Sequence, residues 1–166
     1  MSIVLTRIDN RLIHGQVLEA WLPYTHADCI VVANDEVATT VMQRLMMEAA
    51  VPKGIKVVIG SVEEVARLIR DRKLDAFRLL ILFASSADAC RAHEAGVSFS
   101  KLNLGNMHAG QDKVKLSCTI AIDREDVENL SSLEERGVRI VSQCVPQDFE
   151  QSWHKLIRNW QDPHAE

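Results

Sequence analysis

Asp9, Arg11 and His14 fall within six residues, inside the run RIDNRLIHGQV at 7–17, and Gly15 and Gln16 follow directly. These side chains suit phosphoryl transfer. A neutral imidazole nitrogen is a competent nucleophile near neutral pH and needs no strong base to activate it. The phosphoramidate it forms is reactive enough to be handed on. Arg11 presents a planar fork of N–H donors to phosphoryl oxygens. The transition state spreads charge over those oxygens, so positioned donors supply most of the catalysis. Gly15 lets backbone approach closely, and free N–H groups where a helix begins favour an anion, which makes Gly15 and Gln16 candidate phosphoryl-binding positions. Asp9 can hold Arg11 in place, or accept from one ring nitrogen and set the tautomer of the other. Spacing alone also allows an ordinary surface histidine beside a structural Asp–Arg pair.

The elements that must position this run alternate between strand and helix. Strands are expected over 3–8, 29–33, 56–59, 79–83, 101–104, 115–122 and 138–142. CIVVA at 29–33 is apolar throughout, as in a strand buried on both faces. Helices are expected over 15–22, stopped with the help of Pro23, and over 37–50, where Val41, Leu45 and Ala49 recur at helical spacing with Met42 and Met46 beside them. Ser61 and Glu64 form a capping box for a helix to about Asp71. Ser85 and Ser86 offer caps for a helix ending at Gly96, Asp123 caps one that Gly137 closes, and a last helix spans 148–160. The pattern predicts one α/β domain over 1–166. Its core is a single open, mostly parallel sheet of about seven strands with helices on both faces. Ligands of such sheets meet the loops after the strands' carboxyl ends, which places the chemistry after Ile8, Ala33, Phe83 and Leu104.

Composition narrows the function. The chain has 166 residues, 47% apolar and 25% charged, with a formal net charge of −4. No Lys/Arg-rich run points to nucleic acid. No apolar run approaches the length of a membrane span, and Arg7 and Asp9 come too early for a secretory signal, so the cytoplasm is the expected location. Cys29, Cys90, Cys118 and Cys144 lack C-x-x-C or metal-ligand spacing and read as free, mostly buried thiols. Neither G-x-G-x-x-G nor G-x-x-x-x-G-K-[ST] follows any strand, which weakens a nucleotide-binding reading, and metal-assisted hydrolysis is weaker still. No cofactor or metal is expected.

The stretch RIDNRLIHGQV closely resembles the phosphorylation-site motif of IIB subunits of the mannose/fructose/sorbose class of the bacterial sugar phosphotransferase system. VVANDEVA at 31–38, LLILFA at 79–84 and NLGNMH at 103–108 are similar to further family stretches in the same order. Many members have two glycines in the last of these. Gly105-Asn106 here looks more like members assigned to N-acetylgalactosamine or galactosamine. The resemblance implies a phosphohistidine–sugar phosphotransferase component. His14 would receive phosphate on Nδ1 from a phosphohistidine of a IIA partner and pass it to a sugar held by membrane subunits IIC and IID, with Arg11 and Asp9 assisting. It further implies a location in the cytoplasm at the membrane permease, IIA docking over the loops after strands one, two and four, and leaves a homodimer open. A regulatory phosphohistidine protein that signals sugar supply without transport is the alternative.

Secondary candidates share the same rim. Asp35, with Asn34 and Glu36, reads first as a helix cap with first-turn acids, or as a carboxylate facing the phosphoryl loop. Ser85 is a cap whose hydroxyl could reach a phosphoryl oxygen. Asn106, Met107 and His108 lie on a loop expected to face the same rim, where His108 could touch phosphate or a partner. His26, His93, His154 and His164 receive no role. Trp153 and Trp160, seven residues apart, suit packing.

Overall fold

The computed structural model describes residues 1–108 and 110–165. The strands are β1 Ser2–Asp9, β2 Cys29–Ala33, β3 Lys56–Gly60, β4 Arg78–Phe83, β5 Lys101–Asn106, β6 Val114–Lys115, β7 Ala121–Ile122, β8 Arg139–Ser142 and β9 Gln151–Ser152. The helices are α1 Leu22–Thr25, α2 Asp35–Thr39, α3 Val41–Ala50, α4 Val62–Arg70, α5 Ser86–Glu94, α6 Arg124–Glu135 and α7 Trp153–Ile157. A π-wound turn over Val17–Trp21 leads directly into α1.

Seven strands form one sheet in the order β3-β2-β4-β1-β5-β8-β9, and β6 and β7 form a separate two-stranded hairpin. Every pairing in the large sheet is parallel except that of β8 with β9. The chain leaves β1 toward β2 and β3, returns to β4, then crosses to β5 on the other side of β1. The direction of winding therefore reverses around β1, the position where open α/β sheets bind ligands.

Alternate residues of the buried strands feed two cores. Val31, Ala33, Leu79, Ile81 and Phe83 pack under α4, α5, α6 and α7. Ile30, Val32, Leu80 and Leu82 pack under the π-wound turn, α1 and α2. These strands read as continuous apolar runs because helices cover both faces. Cutting one such side chain, as in Ile81→Ala, would cost about 2–5 kcal/mol.

The anticipated caps are present. Ser61 Oγ accepts from Glu64 N at 3.1 Å and Glu64 Oε2 accepts from Ser61 N at 2.8 Å. Ser85 and Asp123 cap α5 and α6 by accepting from Asp88 N and Asp126 N.

Five expectations need correction. Helix 15–22 does not stop before Pro23. A proline ring collides with the carbonyl four residues back in an α-helix, and the widened turn ahead of it lets the helix run on to Thr25. Helix 37–50 is two helices broken at Thr40, because the Thr39 and Thr40 hydroxyls both bond Glu36 O and compete with the ladder. Strand 115–122 is a hairpin, turned where Ser117 Oγ accepts from Thr119 N and Ile120 N. Helix 148–160 shrinks to α7, because Gln151 and Ser152 pair with the β8 edge instead. Cys118, in the hairpin turn, is exposed rather than buried.

Candidate functional site

The last residue of β1, Asp9, is fully buried, and the chain turns sharply after it. Asn10 N bonds Asn106 O at 3.0 Å, and Leu12 N bonds Asp9 O at 2.9 Å. Leu12 takes the left-handed conformation, φ 57°, uncommon for a residue with a branched side chain. Burial of the Leu12 and Ile13 side chains in the core beside β2 and β4 holds that turn in place. The reversal returns His14 over Asp9.

His14 Nε2 stands 2.8 Å from Asp9 Oδ2. Its side chain keeps 14% of its surface exposed, so the ring is sheltered yet reachable. With Asp9 accepting the proton of Nε2, the lone pair lies on Nδ1. Asp9 Oδ1 accepts from Arg11 N at 3.1 Å and lies 3.7 Å from Arg11 Nε. The Arg11 side chain is half exposed, with donors left for an incoming anion.

Below Asp9 lies Arg7, two residues earlier on the same face of β1 and without exposed surface. Arg7 Nε is 3.5 Å from Asp9 Oδ2. Its Nη1 donates to Gln143 O at 2.7 Å and to Asn103 Oδ1, and its Nη2 to Cys144 O at 3.1 Å. The guanidinium sits over the Trp21 ring, 5.0 Å from the centroid, and Trp21 Nε1 donates to Cys144 O at 3.0 Å. A histidine, a carboxylate and a buried guanidinium thus run in line from the surface into the sheet.

Burial sets the charges. It works to raise the Asp9 pKa, but the hydrogen bond and charge of His14, the Arg11 amide and Arg7 outweigh it, and Asp9 stays below the ordinary carboxylate value. Burial likewise draws Arg7 down from the ordinary guanidinium value against the pull of Asp9.

The structure thus brings together His14, Asp9 and Arg11. Gly15 is exposed, and a Cβ there would meet nothing within 4 Å, so space is open beside the ring. Gln16, Asn106 and His108 line a groove of about 410 Å³ that starts at Arg11. Asp35 and Ser85 point their polar atoms elsewhere. Asp35 Oδ1 accepts from Val62 N at 3.0 Å and Oδ2 pairs with Arg91 at 3.0 Å, contacts that outweigh slight burial and lower its pKa. Ser85 is spent on the α5 cap. Among the described residues, no group of three or more His, Cys, Asp or Glu side chains is placed to hold a metal ion.

Sequence reasoning passed over Arg7. The signal was available: an arginine at the sheet-facing position two before Asp9, in a strand bordered by apolar strands. What surrounds it, Asn103, Gln143, Cys144 and Trp21, comes from three separate segments and leaves no local pattern.

Known proteins resemble this chain along nearly its whole length. The family described as "PTS system sorbose subfamily IIB component" matches residues 3–166. The N-acetylgalactosamine-specific phosphotransferase enzyme IIB component 2 of Escherichia coli is 35% identical, over 94% of this chain and 99% of that protein. The mannose-specific EIIAB component of Escherichia coli is 32% identical over 89% of this chain, which matches 46% of that longer protein. The crystal structure of the IIBSor domain of the sorbose permease from Klebsiella pneumoniae superposes with a TM-score of 0.92 at 28% identity, covering 97% of this chain and 99% of that one.

Proposed function

The chain belongs to the sorbose subfamily of phosphotransferase-system IIB components, and from that premise we propose that it carries a phosphoryl group on Nδ1 of His14. The donor is a phosphohistidine of a IIA protein, and the acceptor is a sugar presented by membrane subunits IIC and IID. The observation that carries this reading is the 2.8 Å contact of His14 Nε2 with Asp9. It leaves the Nδ1 lone pair as the nucleophile on a side chain that is 14% exposed.

Loading forms the Nδ1–P bond as the donor's N–P bond breaks. The His14 ring gains positive charge while Nε2 keeps its proton, and Asp9 stabilises that charge across a short hydrogen bond. Arg11 donates to the phosphoryl oxygens, and the amides of Gly15 and Gln16, which have no acceptor among the described residues, are free to add to that cradle. Discharge reverses the sequence: the sugar hydroxyl oxygen attacks phosphorus and releases its proton, the N–P bond breaks, and imidazole leaves neutral with its Nε2 proton in place. Asp9 therefore serves both half-reactions without itself taking a proton. Arg7 is the buried counter-charge beneath Asp9, adding to the His14 and Arg11 contacts that keep it ionised.

Fusion of IIA and IIB in the EIIAB relative supports IIA as the donor. Among the described residues, no helix is long and apolar enough to cross a membrane, which fits a carrier that works in the cytoplasm and meets the permease at the membrane. The test is mass spectrometry after incubation with phosphoenolpyruvate, the general carrier proteins and a IIA protein. One acid-labile phosphate on His14, absent in His14→Ala, is expected. A phosphate on another residue, or label persisting in His14→Ala, would end this reading.

A further inference from the structure

The groove beginning at Arg11 lies between the turn after β1 and the β6–β7 hairpin. The hairpin is moored to the end of β5: Met107 N bonds Thr119 O at 2.8 Å, and Ala121 N bonds Met107 O at 3.0 Å. Arg11, His108 and Lys115 bring basic groups to the groove, while Gln16, Asn106 and Thr119 add neutral polar ones. None of its lining residues carries a carboxylate. Among the described residues, His108 and Lys115 have no ion-pair partner, and Arg11 has only Asp9, which His14 and Arg7 share. The opposite flank of the rim differs. There Arg91 is matched by Asp35 at 3.0 Å and Asp88 at 3.8 Å, so its charge is already partnered.

Resting on the phosphocarrier reading, we propose that this groove seats a carboxylate-bearing segment of the phosphoryl donor protein. The donor then approaches over the loops after β1 and β5 and the hairpin, rather than over those after β2 and β4. The chain's net charge is −4, so an acidic partner gains nothing from the overall field and needs a local basic surface. Complementary charge of this kind acts mainly on encounter and register. It also gives the exchange a direction. A phosphoryl group on His14 adds about −1.5 to −2 charges beside Arg11. That neutralises part of the groove and weakens its hold on the acidic segment once the group has been delivered. The same surface thus favours the loaded donor meeting the empty carrier and releases the spent donor from the loaded one.

The experiment is rapid-quench phosphorylation of the full chain by phosphorylated IIA protein at increasing NaCl, beside labelling of His14 by phosphoramidate, which needs no docking surface. Lys115→Glu should raise KM for the protein donor about tenfold, leave kcat unchanged and flatten the salt dependence. Labelling by phosphoramidate should match wild type, and Lys115→Arg should restore KM. A Lys115→Glu variant with the wild-type KM and salt slope overturns the groove while leaving the His14 reading intact. So does slowing with both donors alike, or a defect confined to transfer onward to the membrane subunits. If phosphoramidate and the protein donor both fail to label His14 of the wild-type chain, the phosphocarrier reading itself falls.

Discussion

Gly105 stands against the guanidinium of Arg7. A Cβ at position 105 would lie 2.2 Å from Arg7 Cζ and Nη2 and 2.5 Å from Nε. Real side chains do not approach that closely, and the obstacle is a buried group held by two carbonyl oxygens and Asn103, not a loose chain end. The glycine in the strand beside β1 is therefore the space that admits the buried arginine, and through Arg7 and Asp9 it reaches His14.

Gly105→Ala should destabilise the fold by about 1–3 kcal/mol, as overpacking does, and slow phosphate acceptance by His14. The pairing can be isolated in a double-mutant cycle with Arg7→Leu, read by urea denaturation. The alanine should cost less in the Arg7→Leu background, with a coupling of about 0.5–3 kcal/mol. Strictly additive costs would mean that Gly105 matters for some other reason.

Asp9→Asn leaves the Arg7 charge buried without its counter-ion, which should cost about 3–5 kcal/mol at pH 7. The acid side should behave differently. The folded Asp9 pKa is lowered, so its stabilising contribution is present above the unfolded value of about 3.9 and is lost as pH falls through the folded value. The gap between wild type and Asp9→Asn should therefore narrow below about pH 4. Denaturation midpoints at pH 7 and pH 3 measure it, and a gap independent of pH would remove Asp9 as a carboxylate stabilised by its neighbours.

Arg11 is half exposed and its side chain meets only Asp9, at 3.7 Å, so Arg11→Ala should unfold within about 0.5 kcal/mol of wild type. Phosphate transfer should nonetheless slow by about 10²–10³-fold, the scale for losing one preorganised donor to a charged transition state. Single-turnover rates of label transfer check this, and wild-type rates would take Arg11 out of the chemistry.

Leu12 sets two effects against each other. Leu12→Gly would relieve a left-handed backbone worth about 1–2 kcal/mol, but would remove a buried leucine worth about 2–5 kcal/mol. The burial term is larger, so the variant should be less stable, and the freed turn should hold His14 less firmly over Asp9. A stabilised variant in urea denaturation would show that strain, not packing, dominates this loop.

The nucleophile run, the sheet class, the apolar strands and the helix caps were legible because each depends on neighbours in sequence. CIVVA is apolar along its length, Ser61 and Glu64 are three apart, and Asp9, Arg11 and His14 share one turn. Short or edge elements were not. The π-wound turn before Pro23 and the break at Thr40 arise from contests over single carbonyls. The β9 pairing depends on an open sheet edge that residues 148–152 do not announce.

The sequence by itself determined that a histidine with an acid and an arginine beside it would stand at a strand's carboxyl end, since local spacing and strand–helix alternation are properties of the chain alone. Only the tertiary structure decided which ring nitrogen Asp9 occupies and that Arg7, not Arg11, is the buried counter-charge. It alone formed the basic groove by carrying a hairpin from 114–122 up against the first loop. The last two features join segments about a hundred residues or more apart in sequence, where contact is set by the packing of strands and helices in space and not by any short-range pattern.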